Sequence, residues 1–325
     1  MRLAPRCSQT MSNSEPLVQA MRAWASLGEV TDIALIGDEH GIHSLNYAVT
    51  VRKLHSGRKV LLKRVPAGDV GALAQAMRVQ AHCATAGAPV ASVIPTDDGA
   101  LIDGMFAVQA WCDGVAFDDS DEQAYQVGQA LGAVLAALKD CPPPFADDSV
   151  FADLNAGEMD AVLAAVADDD SAFGRAVAKL VPGLAATHAA LDQTLAAAES
   201  PTQAVHLDCH PGNVLFDDHG RAVIVDFGNV FVRPRMLAAA FACHRFAGFA
   251  EDRVKRFFNA YQERQSLTGA ELDRYPLFVA KEAMRRVNKI LRGHFFNDEP
   301  RWDFELPRQL AFAREAEAAA LAWAR

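Results

Sequence analysis

Between Asp32 and Arg64 apolar residues alternate with polar ones, whereas from Asp118 onward they recur every three or four positions. The first spacing is that of a half-buried strand and the second that of an amphipathic helix. Strands are predicted over 32–36, 47–54 and 59–64, with Ser56-Gly57 as a hairpin turn. A helix over 16–27 closed by Gly28 precedes them, and a helix over 69–86 closed by Gly87 follows. Phe106–Trp111 reads as a further strand, broken at Cys112-Asp113-Gly114. Beyond it, apolar faces predict helices over 122–138, 154–167, 173–198, 235–247, 251–265, 277–291 and 307–323. Among these helices lie short apolar runs at 204–205, 213–216 and 222–225, the last two separated by the turn signal Asp217-Asp218-His219-Gly220.

Composition narrows the class of protein. The chain has 325 residues, 51% of them hydrophobic and 22% charged, which is enough apolar material for a substantial globular core. Six cysteines are scattered without a C-x-x-C pair, so neither a disulfide framework nor a zinc ribbon is indicated, and a reducing, cytoplasmic setting is expected. The formal net charge of −10 argues against a nucleic-acid partner. No segment approaches the ~20 apolar residues of a membrane span, so no membrane partner is expected either. Residues 1–14 read as a flexible tail, with Met11 as a second candidate initiator. The oligomeric state stays open.

The candidate chemistry is concentrated between His206 and Gly228. His206-Leu207-Asp208-Cys209-His210-Pro211-Gly212-Asn213 is followed, after a short hairpin, by Asp226-Phe227-Gly228. This is the H-x-D-x-x-x-x-N plus D-F-G spacing of kinase phosphoryl transfer. Pro211-Gly212 keeps the chain irregular between Asp208 and Asn213, so side chains from both ends of the loop can converge. His206, Asp208 and His210 could alternatively form a metal site, although no further His or Cys cluster lies nearby.

The form H-x-D-x-H-P-G-N resembles the aminoglycoside phosphotransferase and choline kinase-like superfamily more closely than the protein kinases. The resemblance implies an α+β, two-lobed protein-kinase-like fold, with a small antiparallel-sheet nucleotide-binding lobe over 15–112 and a mostly helical lobe over 113–325. It implies Asp208 as the base that receives the acceptor hydroxyl proton, and Asn213 and Asp226 as Mg²⁺ ligands. His206 would brace the loop, and His210 would contact phosphate or pack beneath it.

Other expected site residues lie earlier in the chain. Gly37 to Asn46 is a polar loop with two glycines, and its Ser44-Leu45-Asn46-Tyr47 ending looks like the phosphate loop of this superfamily, so Ser44 and Asn46 are candidate phosphate contacts. Lys63, at the end of an apolar strand, is the candidate lysine for the ATP phosphates. Kinases orient that lysine with a helix glutamate, yet no Glu occurs between Glu39 and Glu122; Gln75 lies nearest the expected position, with Gln80 as the other glutamine. Backbone groups from Gln109 to Trp111 would read the adenine edge, with plain core as the other role for Trp111.

The expected activity is transfer of the ATP γ-phosphoryl group to a hydroxyl of a small molecule of aminoglycoside, amino-alcohol, homoserine or sugar type. The sequence does not choose among these acceptors, nor between ATP and GTP. The alternative is a nucleotide-binding pseudokinase acting as a regulatory module. It draws on the missing helix glutamate and on Met236-Leu237, where the superfamily usually carries an acidic residue. Arg233 and Arg235 either face an anionic acceptor or cap a helix start. The acidic residues between Phe117 and Asp170 either attract a cationic acceptor or form a solvated face.

Overall fold

The computed structural model of the chain describes residues 15–36, 44–53, 56–145, 153–196, 200–297 and 305–323. They fall into two compact units. One has the bounds Met1–Ala146, Asp208–Val230 and Arg256–Gln265, and the other Asp147–Leu207, Phe231–Lys255 and Ser266–Arg325.

In the first unit the alternating segments form strands β1 (Glu29–Ile36), β2 (Leu45–Lys53), β3 (Ser56–Arg64), β4 (Val93–Ile94) and β5 (Phe106–Ala110). They pair antiparallel in the order β1-β2-β3-β5-β4. Successive side chains on a strand take opposite faces, so Val49, Val51, Val60, Leu62 and Val108 gather on one side. There they pack against Leu17, Met21, Trp24 and Leu27. The predicted helix over 16–27 is two pieces, α1 (Glu15–Ala20) and a 3₁₀ segment Met21–Leu27 in which Trp24 departs from helical geometry. Trp24 is almost completely buried, and its indole N–H donates to the Ile94 carbonyl at 2.8 Å. Ser56 and Gly57, expected as a turn, are strand residues paired with Lys53 and Arg52.

Helix α2 (Val70–Thr85) contacts the sheet through buried Gln80, which donates to the side chain of Gln109 in β5. Helix α3 (Asp121–Lys139) starts at Ser120, whose hydroxyl accepts the Gln123 N–H. Its Gly128 and Gly132 let residues Phe257 and Tyr261 approach so closely that an added Cβ would lie 2.4 Å from each of their carbonyl oxygens. Strands β6 (Thr202–His206), β7 (Val214–Phe216) and β8 (Ala222–Ile224) follow, with β7 and β8 forming the predicted hairpin.

The second unit is mostly helical. It contains α4 (Ala156–Ala165), α5 (Ala172–Ala196), β6, β9 (Val230–Pro234) from Phe231 on, α6 (Arg235–Ala247), the start of α7 (Glu251–Gln262), α8 (Gly269–Asp273), α9 (Tyr275–Phe296) and α10 (Leu306–Trp323). Helix α9 is the centre of this unit and packs against α5, α6 and α10. The elements β4, β9 and α8 escape the periodicity reading because each is too short to repeat a pattern.

Glu271 of α8 is fully buried and carries a network. It accepts from Arg235 Nε at 3.0 Å and Nη2 at 2.7 Å, from Ser200 Oγ at 2.7 Å and from the Thr268 N–H at 2.9 Å. Burial alone raises a carboxyl pKa, but these donors outweigh it and hold Glu271 below its ordinary value. Arg235 is thereby committed inside the unit rather than offered to an anionic acceptor. No helix among the described residues is long and apolar enough to cross a membrane.

Candidate active site

Lys63 stands opposite Asn46 of β2 and Ala107 of β5, so its side chain shares a sheet face with Asn46. It is largely buried, and its Nζ lies 2.9 Å from Asp226 Oδ1. Asp226 adopts the left-handed conformation, φ 62° and ψ 79°, which Asp tolerates better than most residues. Its Oδ1 also accepts the Gly228 N–H at 3.4 Å, and Phe227 between them is buried, with the Phe227–Asn229 turn packed against α2. Gln75 is half-buried on α2, and the ammonium it is expected to orient is held by Asp226. Gln80, the fully buried glutamine of that helix, donates to the Ala91 carbonyl at 2.6 Å and to Gln109 Oε1 at 3.2 Å.

Gln109 is placed inside the sheet, in register with both Leu61 and Val93, with its side-chain amide directed to Gln80 and to Met77 Sδ. Trp111 lies beyond β5 and is only half-buried; its indole N–H donates to Asp113 at 2.8 Å and Lys59 Nζ sits 5.6 Å from the ring centroid. It is not core. Ser44 is half-buried immediately before β2, while residues 37–43 of the polar loop, like the tail over 1–14, lie outside the described residues.

The loop after β6 brings Asp208, His210 and Asn213 together. Asn213 Nδ2 donates to the Asp208 carbonyl at 3.0 Å and to its Oδ2 at 3.2 Å. The Asn213 N–H donates to the His210 carbonyl, and its own carbonyl accepts from Val225, which ties the loop to β8. His210 Nδ1 accepts the Gly212 N–H at 3.0 Å, so the neutral ring carries its proton on Nε2, 3.8 Å from Asp208 Oδ1. A Cβ on Gly212 would stand 2.9 Å from the His210 ring, so glycine is what allows the ring to lie there. His206 is completely buried at the end of β6. Cys209 is completely buried too; burial raises its pKa, keeping the thiol protonated beside the aspartate.

One site contact lies outside the motif as read from the sequence. Asn229, directly after D-F-G, donates from Nδ2 to Asp208 Oδ2 at 3.0 Å. The only signal for it is its place beside Gly228.

The phosphotransferase enzyme family model matches residues 35–278. The chain belongs to that family. It is accordingly a phosphotransferase by family, and the expected kinase-like α+β fold is also that of its structural neighbours. It superposes on an aminoglycoside phosphotransferase from Alicyclobacillus acidocaldarius with a TM-score of 0.63 at 18% identity, covering 99% of this chain and 98% of that one. The Streptococcus pneumoniae choline kinase LicA gives 0.61 at 13% identity over 96% and 100% of the two chains. A Plasmodium vivax ethanolamine kinase gives 0.64 at 11% over 98% and 92%. No protein of curated function matches the chain in sequence.

Proposed function

We propose that this family member transfers the γ-phosphoryl group of ATP to a hydroxyl of a small molecule, with Asp208 as the base. The observation that carries the reading is the convergence of Asn213 on the Asp208 carboxylate, together with Lys63 on Asp226, within one compact unit. A non-catalytic protein has no chemical need for that complete set.

The donor set suits Mg²⁺. Both Nδ2 hydrogen bonds of Asn213 go to Asp208, which leaves its amide carbonyl as the end that can face a cation, and Asp226 supplies a carboxylate. Two such oxygens are the usual protein share of a Mg²⁺ that takes its other ligands from phosphates and water. Bound there, the ion would neutralise phosphate charge. Lys63 would add a positive charge at the phosphates, and Ser44 and Asn46 would contact them from the start of β2. The backbone beyond Gln109, at Trp111, would meet adenine. Asp208 would accept the hydroxyl proton, His210 would present its Nε2–H beside that carboxylate, and buried His206 would brace the loop. Positioning and charge neutralisation supply most of the rate in such transfers.

Neighbours crystallised with ADP and spectinomycin, or named for choline, ethanolamine and aminopropanol, support a nucleotide donor and a small hydroxyl acceptor. The acceptor class is expected to be an aminoglycoside, amino alcohol, homoserine or sugar, in the cytoplasm. Part of the acidic stretch is consumed internally, since Asp153 pairs with Lys281 at 3.0 Å and Glu158 with Arg292. A cationic acceptor would therefore meet fewer acids than the sequence count implies.

The test is a phosphorylation screen across these hydroxyl compounds with the Asp208→Ala variant beside the natural chain. Turnover of at least one acceptor is expected, abolished in the variant while ATP binding persists. ATP binding with no transfer to any acceptor and no slow ATP hydrolysis would favour the pseudokinase reading.

A further inference from the structure

We infer that Asn229 is a positioning residue that sets the orientation of the Asp208 carboxylate; this rests on the reading of Asp208 as the base. An ionised carboxylate only accepts hydrogen bonds, so the two amides that reach it must present their NH₂ ends. Asn213 Nδ2 at 3.2 Å and Asn229 Nδ2 at 3.0 Å both donate to the same oxygen, Oδ2. Rotation about the terminal bond of Asp is soft and nearly two-fold, so a bare carboxylate would present either oxygen in a broad range of directions. Two donors on one oxygen remove that freedom and assign Oδ1 to the side where His210 Nε2 lies at 3.8 Å.

The two amides are not equivalent. Asn213 stands in the same loop as Asp208, bonds its backbone as well, and is the residue whose carbonyl end would serve Mg²⁺. Asn229 comes from the turn Phe227–Asn229 after Asp226, 21 residues along the chain, and its side-chain amide donates to the carboxylate. It therefore links the segment that carries Asp226 to Oδ2 of the carboxylate.

The experiment compares Asn229→Leu, which keeps the size and removes the donor without adding charge, and Asn229→Ser with the natural chain and with Asp208→Asn. Read-outs are kcat, the KM for ATP and the KM for the acceptor, alongside thermal melting as a folding control. Asn229→Leu is expected to lower kcat about tenfold to a hundredfold, as loss of a charge-assisted donor does. The KM for ATP should stay within about threefold, since the interaction acts on the base and not on nucleotide binding; Asn229→Ser should fall between. Unchanged kcat in Asn229→Leu, or a KM for ATP that rises as far as kcat falls, with Asp208→Asn inactive, overturns the role of Asn229 alone. Retained turnover in Asp208→Asn overturns the base reading itself, and the inference with it.

Discussion

Lys63 Nζ lies 2.9 Å from Asp226 Oδ1, joining the end of the apolar strand β3 to the aspartate of D-F-G. Kinases orient this lysine with a helix glutamate, and here α2 carries Gln75 and Gln80 instead. A glutamine supplies no charge, so the lysine takes the nearest carboxylate. Replacing Lys63 by Met leaves the strand's apolar contacts and removes the charge. Turnover is expected to fall about a hundredfold or more, the range for losing one preorganised charge-stabilising group. Steady-state kinetics with thermal melting as a folding control measures it, and a Met variant with near-natural kcat sinks the assignment.

Removal of Mg²⁺ by EDTA should stop transfer, and its return should restore it. Asp226→Asn keeps the shape of the side chain but weakens both the Lys63 pair and the proposed cation site. The Mg²⁺ concentration for half-maximal rate is expected to rise at least tenfold, read from a Mg²⁺ titration of the rate. Equal Mg²⁺ dependence in the two proteins would remove Asp226 from the cation site.

Glu271 is buried with three different donors, so deleting its carboxylate leaves Arg235 without its counter-charge. Glu271→Ala should cost about 3–5 kcal/mol, the range for breaking one side of a buried ion pair. The same group predicts a pH effect. Its folded pKa lies below the ordinary 4.5, so its stabilisation is whole above that pH and is lost as pH falls toward the depressed value. Urea melts at pH 7 and pH 4 check both statements; the stability lost on acidification should be smaller in the variant.

Gly128 and Gly132 set two effects against each other. Alanine is better than glycine inside a helix by about 1 kcal/mol. Here its Cβ would stand 2.4 Å from Phe257 O or Tyr261 O, and backbone cannot yield as a side-chain end can. Overpacking of this kind costs about 1–3 kcal/mol. Gly128→Ala and Gly132→Ala are each expected to melt earlier in urea than the natural chain; a later midpoint would show that the helices separate freely.

The strand-forming and helix-forming segments were legible because alternation and three-to-four spacing report which face is buried, a local property. The convergence of Asp208 and Asn213 was legible for a related reason: a loop that folds back on itself leaves the residues it brings together at fixed spacing. Trp24 was read only as part of a continuous helix, because nothing local reports the Ile94 carbonyl that holds it 70 residues away. The Ser56-Gly57 turn failed for a similar cause, since residue preference cannot set a register decided by pairing with Lys53 and Arg52.

The sequence by itself determined the family, most of the strands and helices, and the candidate reacting groups, since each is written in short-range pattern. Only the tertiary structure decided their partners. Lys63 pairs with Asp226 across 163 positions, Gln80 reaches Gln109 rather than the lysine, Arg235 is closed off by Glu271, and Asn229 joins Asn213 on Asp208. Which donor meets which acceptor depends on where folding brings the segments and on which charge must be satisfied once water is excluded.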